Sequence, residues 1–505
     1  MKNPNPVFLA ALLLLLPVVL LAAAAPAKEL KLAGLFADHM VLQRETAAPV
    51  WGWAAPGEKI TVEFAGQEKS ATAAADGKWL VKLDAMPAST EPRVLTVTGD
   101  HAVKISDVLV GDVWLCSGQS NMGIPMNIPN DYLQRRIREA NNPQLRLFQT
   151  VHQFPDAPAT NTSGAWRVAQ TNVVGSWIAI GYIFGDKIQT ELGVPVGIIA
   201  SAMGGTPIES WLPRAVLDAN PGSSEQLKNL EAAVATNTTK IARRPSSCFN
   251  GKIAPLVPFA LKGVLWYQGE GNVHYFEFYP RQITALMHSW RELFGLPQLP
   301  FILTELAPFH PPATAPEDSD RARFGEALAG AAKADGHAWV ITIVDGGDPD
   351  QIHPVKKEIP GERFAAMALA KVYGRPGIAH GPVRESLKID GDKAVVKFSS
   401  VGGGLTVKAL KLGKYDVAGD APHGFELAGA DRKFFPATAT ITGNDTVTVT
   451  CPEVAAPVAV RYAWAGFPLC NLFNQEGFAA YPFRTDDWPW PTPEPKPEKK
   501  PDAQK

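Results

Sequence analysis

Ser120 stands in the polar run Ser117-Gly118-Gln119-Ser120-Asn121-Met122, directly behind the apolar segment Val113-Trp114-Leu115-Cys116. A serine hydroxyl is a weak nucleophile at neutral pH, so it does chemistry here only if a base removes its proton. The expected base is His353, in Asp348-Pro349-Asp350-Gln351-Ile352-His353-Pro354. An aspartate three residues before a histidine can fold its carboxylate onto Nδ1, which fixes the tautomer and leaves Nε2 to accept the serine proton. Asp350 is expected in that role. Ser201-Ala202-Met203-Gly204-Gly205-Thr206-Pro207 contains paired glycines that leave backbone N–H groups open to a developing oxyanion. Gln268-Gly269-Glu270-Gly271-Asn272 could add a side-chain amide. Taken singly, each of these runs reads as a plain turn; together, each behind its own apolar segment, they make the parts of an acyl-transfer site. The serine motif is not Gly-x-Ser-x-Gly, so the nucleophile elbow of the α/β-hydrolases is not indicated. There is no His-Glu-x-x-His and no Cys-x-x-Cys, and neither a metal nor a cofactor is expected.

Such groups converge only if the chain brings strand ends to one edge. Val113–Cys116, Val196–Ile199, Gly263–Trp266, Phe301–Leu303 and Trp339–Val344 are near-continuous apolar runs, as strands buried on both faces must be. Between them Ile178–Leu192, Tyr279–Phe294 and Gly361–Tyr373 carry apolar residues at helical spacing. Alternation of this kind predicts an α/β layer with a mostly parallel sheet, whose reactive site lies at the carboxyl ends of the strands. Short alternating strands flank it: Ile60–Phe64, Trp79–Leu83 and Val94–Val97 before, Ala394–Phe398, Thr446–Thr450 and Val458–Tyr462 after. Asp76-Gly77 reads as a hairpin turn in the first group. The expected division is a signal segment over 1–27, an N-terminal β module over 28–104, a catalytic α/β domain over 105–382, a C-terminal β module over 383–487, and a disordered Pro/Lys-rich tail over 488–505.

Length and composition agree with several folding units: 505 residues, 46% hydrophobic and 19% charged, with 43 Gly and 44 Pro that point to many turns. A net charge of −2 offers nothing for a phosphate backbone or an anionic membrane to attract, so nucleic acid is not an expected partner. Lys2 followed by a Leu-rich stretch and Ala23-Ala24-Ala25-Pro26-Ala27 reads as a secretory signal, with export to the periplasm or the medium. Retention of that stretch as an anchor is the alternative; no stable membrane partner is expected once it is removed. The four cysteines leave two readings open: bridges Cys451–Cys470 and Cys116–Cys248, or four buried thiols.

These runs resemble the sialate O-acetylesterase group of the SGNH (GDSL-like) serine hydrolases, which is related to acetylxylan esterases. The similarity rests on Phe36-Ala37-Asp38-His39-Met40-Val41-Leu42-Gln43-Arg44, Val50-Trp51-Gly52-Trp53, Trp114 to Met122, Gly204-Gly205-Thr206, Trp266-Tyr267-Gln268-Gly269-Glu270 and Asp350-Gln351-Ile352-His353-Pro354, spread over nearly the whole chain. It implies a three-layer α/β/α domain and a carbohydrate acetylesterase, with an O-acetylated sugar as the partner. It makes Ser120 the nucleophile, His353 the base, Asp350 the orienting acid, and Gly205, Ser120 N–H and Gln268 the oxyanion hole. Glu270 competes with Asp350 for the acidic role, while Glu209 and Trp211 would shape or underlie the pocket. Gly175-Ser176-Trp177-Ile178-Ala179 and Val355-Lys356 depart from the family pattern where a substrate-facing wall could stand. Two other readings remain: the same chemistry on acetylated xylan, and an exported carbohydrate-binding protein whose hydrolase layer is silent.

Overall fold

A computed structural model of the chain describes residues 29–220, 224–236 and 238–489. The signal segment and all but the first two residues of the expected tail lie outside the described residues. The catalytic layer is built on seven strands: β1 (Ala102–Gly118), β2 (Asn141–Gln149), β3 (Trp166–Gln170), β4 (Val196–Ala202), β5 (Gly263–Tyr267), β6 (Phe301–Thr304) and β7 (Ala338–Ile341). Their order is β3-β2-β4-β1-β5-β6-β7, all neighbours parallel except the antiparallel β2–β3 pair. Every residue from Val113 to Cys116 is buried, as the absence of polar alternation requires of a central strand covered on both faces. Helices α1 (Ala179–Leu192), α2 (Tyr279–Phe294), α3 (Asp320–Asp335) and α4 (Glu358–Lys371) cover the layer, giving the α/β/α arrangement. α1 and α4 touch where Gly361 meets Ile183, so closely that a Cβ on Gly361 would lie 2.8 Å from the isoleucine.

α3 was absent from the helices expected by periodicity. Its buried residues are Phe324 and Leu328 set among Ala322, Arg323, Gly325, Ala331 and Ala332, so the apolar stripe is diluted by small and polar residues. β7 is shorter than the run Trp339–Val344. Its chain turns away after Ile341 because Arg363 of α4 takes the Thr342 carbonyl at 2.8 Å and both Asp345 carboxylate oxygens at 2.6 and 2.7 Å.

At the amino end the expected boundary at 104/105 has no physical counterpart. β1 is one strand of 17 residues; its first part pairs antiparallel with Ser89–Thr98, and its second part is the centre of the parallel layer. The N-terminal strands therefore extend the same 11-stranded sheet, with a three-stranded sheet beside them. Asp76-Gly77 is not a hairpin. It passes from strand Gln67–Thr72 of the large sheet to strand Lys78–Leu83 of the small one, while the hairpin turn is Ala65-Gly66, with φ of 51° and 80°. Arg44 anchors this module under the layer, with two bonds of 2.9 and 3.0 Å to Asp112, a fully buried residue of β1.

Beyond α4, two four-stranded antiparallel sheets face one another as a sandwich around Val396, Phe398, Leu427, Val447, Val460 and Tyr462. Cys116, Cys248, Cys451 and Cys470 are all buried free thiols, so the bridged reading is not found. Burial pushes the Cys248 and Cys470 thiols up to about 12.

Candidate active site

Ser120 reaches the carboxyl edge of the sheet because β1 ends in a glycine. Gly118 has φ +127° and lies so close to β5 that a Cβ would come within 2.1 Å of the Tyr267 carbonyl oxygen. The next peptide is tied to that same carbonyl by Gln119 N–H at 2.8 Å, and the Gly118 carbonyl accepts Met203 N–H at 2.9 Å. The Gln119 side chain is buried and accepts the N–H groups of Gly269 and Gly271 at 3.2 and 3.4 Å. Three strand ends are thereby locked around one residue, and the half-buried Ser120 is left facing out.

His353 comes to it from the loop between β7 and α4. Its Nε2 lies 2.8 Å from Ser120 Oγ, although 233 residues separate the two in sequence. Asp350 does not join them. Its carboxylate faces solvent and Lys414 of the C-terminal module, with Nζ at 3.2 and 3.3 Å. The cause is local: Asp348 Oδ1 accepts the N–H groups of Asp350 and Gln351 at 2.9 and 3.1 Å, an Asx turn that aims the Asp350 side chain away from the ring. Glu270 does not orient the ring either; its Oε1 accepts a 2.6 Å bond from Asn121 Nδ2. Among the described residues, no carboxylate bonds to His353.

Gly204 lies beside the nucleophile, since a Cβ on it would sit 3.3 Å from Ser120 Cβ, and Gly205 follows it with open space at its own Cβ position. Gly205 has φ +71°, a conformation that glycine adopts without strain, and its carbonyl accepts from the Arg243 guanidinium. Thr206 holds the loop from below: its hydroxyl donates to Met203 O at 2.8 Å and accepts from Trp211 Nε1 at 2.9 Å. Gln268 does not face this space. Its Nε2 donates to Thr206 O at 3.2 Å and Asn272 Oδ1 at 2.8 Å, and its Oε1 accepts from the Tyr279 hydroxyl at 2.8 Å. The amide is spent on the floor of the site, so its expected place in the oxyanion hole is corrected.

Glu209 and Trp211 belong to that floor. Both are fully buried; Glu209 accepts from Asn272 and Gln282, and burial raises its carboxyl above the usual range. Trp211 stacks edge-on against Trp266. Of the two departures from the family pattern, Trp177 and Ile178 are buried and back the chain after Ser120, through Met126 N–H to Trp177 O at 2.9 Å. Val355 instead is exposed, as is Ile352, and these two flank His353 with apolar surface. The site is an open shelf. A larger cavity of about 660 Å³ lies elsewhere, between α3, β7 and the C-terminal sandwich, and includes neither Ser120 nor His353.

Sequence reasoning missed Asn121, Arg243 and Lys357. Asn121 immediately follows the nucleophile and Lys357 stands four residues after His353, which are weak signals; Arg243 carries none.

The model of the carbohydrate esterase, sialic acid-specific acetylesterase family matches residues 110–331. Sialate O-acetylesterase of Homo sapiens is 27% identical over 512 residues, 91% of this chain and 94% of that protein. That of Mus musculus is 27% identical over 545 residues, 95% and 98% of the two chains. The crystal structure of a carbohydrate acetylesterase from Xanthomonas citri aligns with a TM-score of 0.81 at 37% identity, covering 91% of this chain and all of that one.

Proposed function

Since the chain belongs to the carbohydrate esterase family of sialic acid-specific acetylesterases, and is an esterase, we propose that it is exported and removes acetyl groups from an O-acetylated sialic acid through a Ser120–His353 pair. The observation that carries this reading is the 2.8 Å approach of His353 Nε2 to Ser120 Oγ at the carboxyl edge of the sheet. The sugar is inferred from the relatives, which are sialate O-acetylesterases. Export is inferred from the Leu-rich leading segment.

In this reading Ser120 Oγ attacks the acetyl carbonyl while His353 Nε2 takes its proton. The oxyanion falls to backbone donors, Gly205 N–H and Ser120 N–H, held by the glycine-rich loop and the locked end of β1. His353 then returns the proton to the departing sugar oxygen, and water, activated by the same imidazole, releases acetate from Ser120. The imidazole must be neutral to take that proton. The exposed Ile352 and Val355 offer apolar surface beside the histidine.

The test is acetate release from purified protein on O-acetylated sialic acid, acetylated xylan and a simple aryl acetate. Release from the sialic acid at the highest kcat/KM supports the proposal. A preference for xylan keeps the chemistry and replaces the sugar, and no release from any of the three leaves a carbohydrate-binding role.

A further inference from the structure

Because neither Asp350 nor Glu270 touches the imidazole, another set of groups must hold the His353 loop against Ser120. Lys357 and Asn121 are each 1% exposed, and Lys357 Nζ donates to Asn121 Oδ1 at 2.6 Å. With its Oδ1 turned to that amino group, the Asn121 amide points its Nδ2 the other way, where it needs acceptors. It finds two: Glu270 Oε1 at 2.6 Å and the carbonyl of Ile352, the residue before His353, at 3.1 Å. One amide thus ties the nucleophile turn, the loop after β5 and the histidine loop together.

The charges in and around this cluster act on one another with little solvent between them. Burial lowers Lys357 to about 7 against the opposing pull of Glu270 and Glu358, and its Nζ lies 6.0 Å from the Tyr267 ring centroid. Arg321, also lowered by burial, feels Glu270 from the other side, and Glu270 Oε2 is buried with no hydrogen-bond partner. Groups buried at such a penalty are retained when they specify one geometry, and here the geometry specified is that of the loop carrying the base.

We infer that the buried Asn121 and Lys357, with the half-buried Glu270, form a clamp whose work is to position His353 for proton transfer with Ser120. The inference rests on the Ser120–His353 reading. None of the three touches the ester; they are positioning residues, and their loss acts on kcat. A displacement of about 1 Å at reacting groups lowers turnover by about 10²-fold, which is the loss expected for Asn121→Ala, with KM within threefold of the parent.

The test is steady-state kinetics on an aryl acetate for Ser120→Ala, Asn121→Ala, Glu270→Ala, Glu270→Gln and Asn121→Ala/Glu270→Ala. Glu270→Gln keeps an oxygen for Asn121 and should retain turnover within about tenfold, whereas Glu270→Ala should fall to the level of Asn121→Ala. The double variant should be no worse than either single one, as members of one unit are not additive. Turnover of Asn121→Ala within threefold of the parent overturns the clamp, as does a defect expressed in KM alone. Should Asn121→Ala not fold, equal activities of Glu270→Gln and Glu270→Ala overturn it. An active Ser120→Ala removes the underlying assignment instead, so the two failures are distinguishable.

Discussion

Two stretches of this chain carry an aspartate three residues before a histidine: Asp350 to His353 beside the catalytic edge, and Asp420 to His423 in the C-terminal module. At the second, the side chains approach to 3.5 Å, yet among the described residues no serine is bonded to that imidazole. At the first, the aspartate turns to Lys414 and the histidine reaches Ser120. Identical spacing yields opposite contacts, because an Asp-x-x-His turn is only permissive. What decides is the rest of the loop: Asp348 captures the two N–H groups that set the Asp350 direction, and Lys414, 64 residues away, supplies a counter-charge.

The largest effect should come from the bonded pair. Ser120→Ala or His353→Ala should lower kcat by a factor on the order of 10⁶, as loss of a serine or its base does in a serine hydrolase. His423→Ala should leave kcat within twofold, and comparable losses at both histidines would break the comparison. The next effect is structural. Gly413, in the turn between the antiparallel strands Leu410–Leu412 and Tyr415–Val417, has φ +59° and would place a Cβ 2.3 Å from Pro349 Cδ, so Gly413→Ala should strain that turn and push on the histidine loop. A stability loss of about 1–3 kcal/mol in urea unfolding, with a several-fold fall in kcat, is expected. The smallest effect sharpens the contrast most. Asp350→Asn should change kcat by less than about threefold, whereas an orienting aspartate is worth about 10⁴-fold; assays of initial rate on an aryl acetate decide between them.

A separate titration should be visible in stability. Burial raises the Glu305 carboxyl to about 7. Between its ordinary value near 4.5 and about 7 the folded chain holds a proton that the unfolded chain has lost, so stability falls as pH rises through that window. Glu305→Gln should therefore gain thermal stability over the parent at pH 8 and little or none at pH 4, as read by melting temperature.

The strand-borne part of this molecule was legible from residue types. Val113–Cys116 and Gly263–Trp266 are apolar without alternation, and that alone places the polar runs behind them at one sheet edge. Ser120 follows from this, and so does Gly204-Gly205. The side-chain partners were not legible to the same depth. Gln268 is a donor in any sequence, but only packing shows that Tyr279 and Asn272, from its own neighbourhood, consume its amide. Asp350 was misjudged because its competitor for direction is the aspartate two residues earlier. α3 escaped because only Phe324 and Leu328 stand out on a buried face otherwise made of alanine, glycine and Arg323.

The unbroken run of β1 has a mechanical meaning. Its first half is hydrogen-bonded to the outer β layer and its second half presents Ser120, so any twist or shear applied to the N-terminal strands is delivered along a single rigid rod to the nucleophile. A fragment beginning at 105 would start inside that rod and leave the buried Ile105 without Leu95, its partner across the ladder. The module at the amino end is thus part of the beam on which the reaction is mounted, and proteases should find no hinge there to cut.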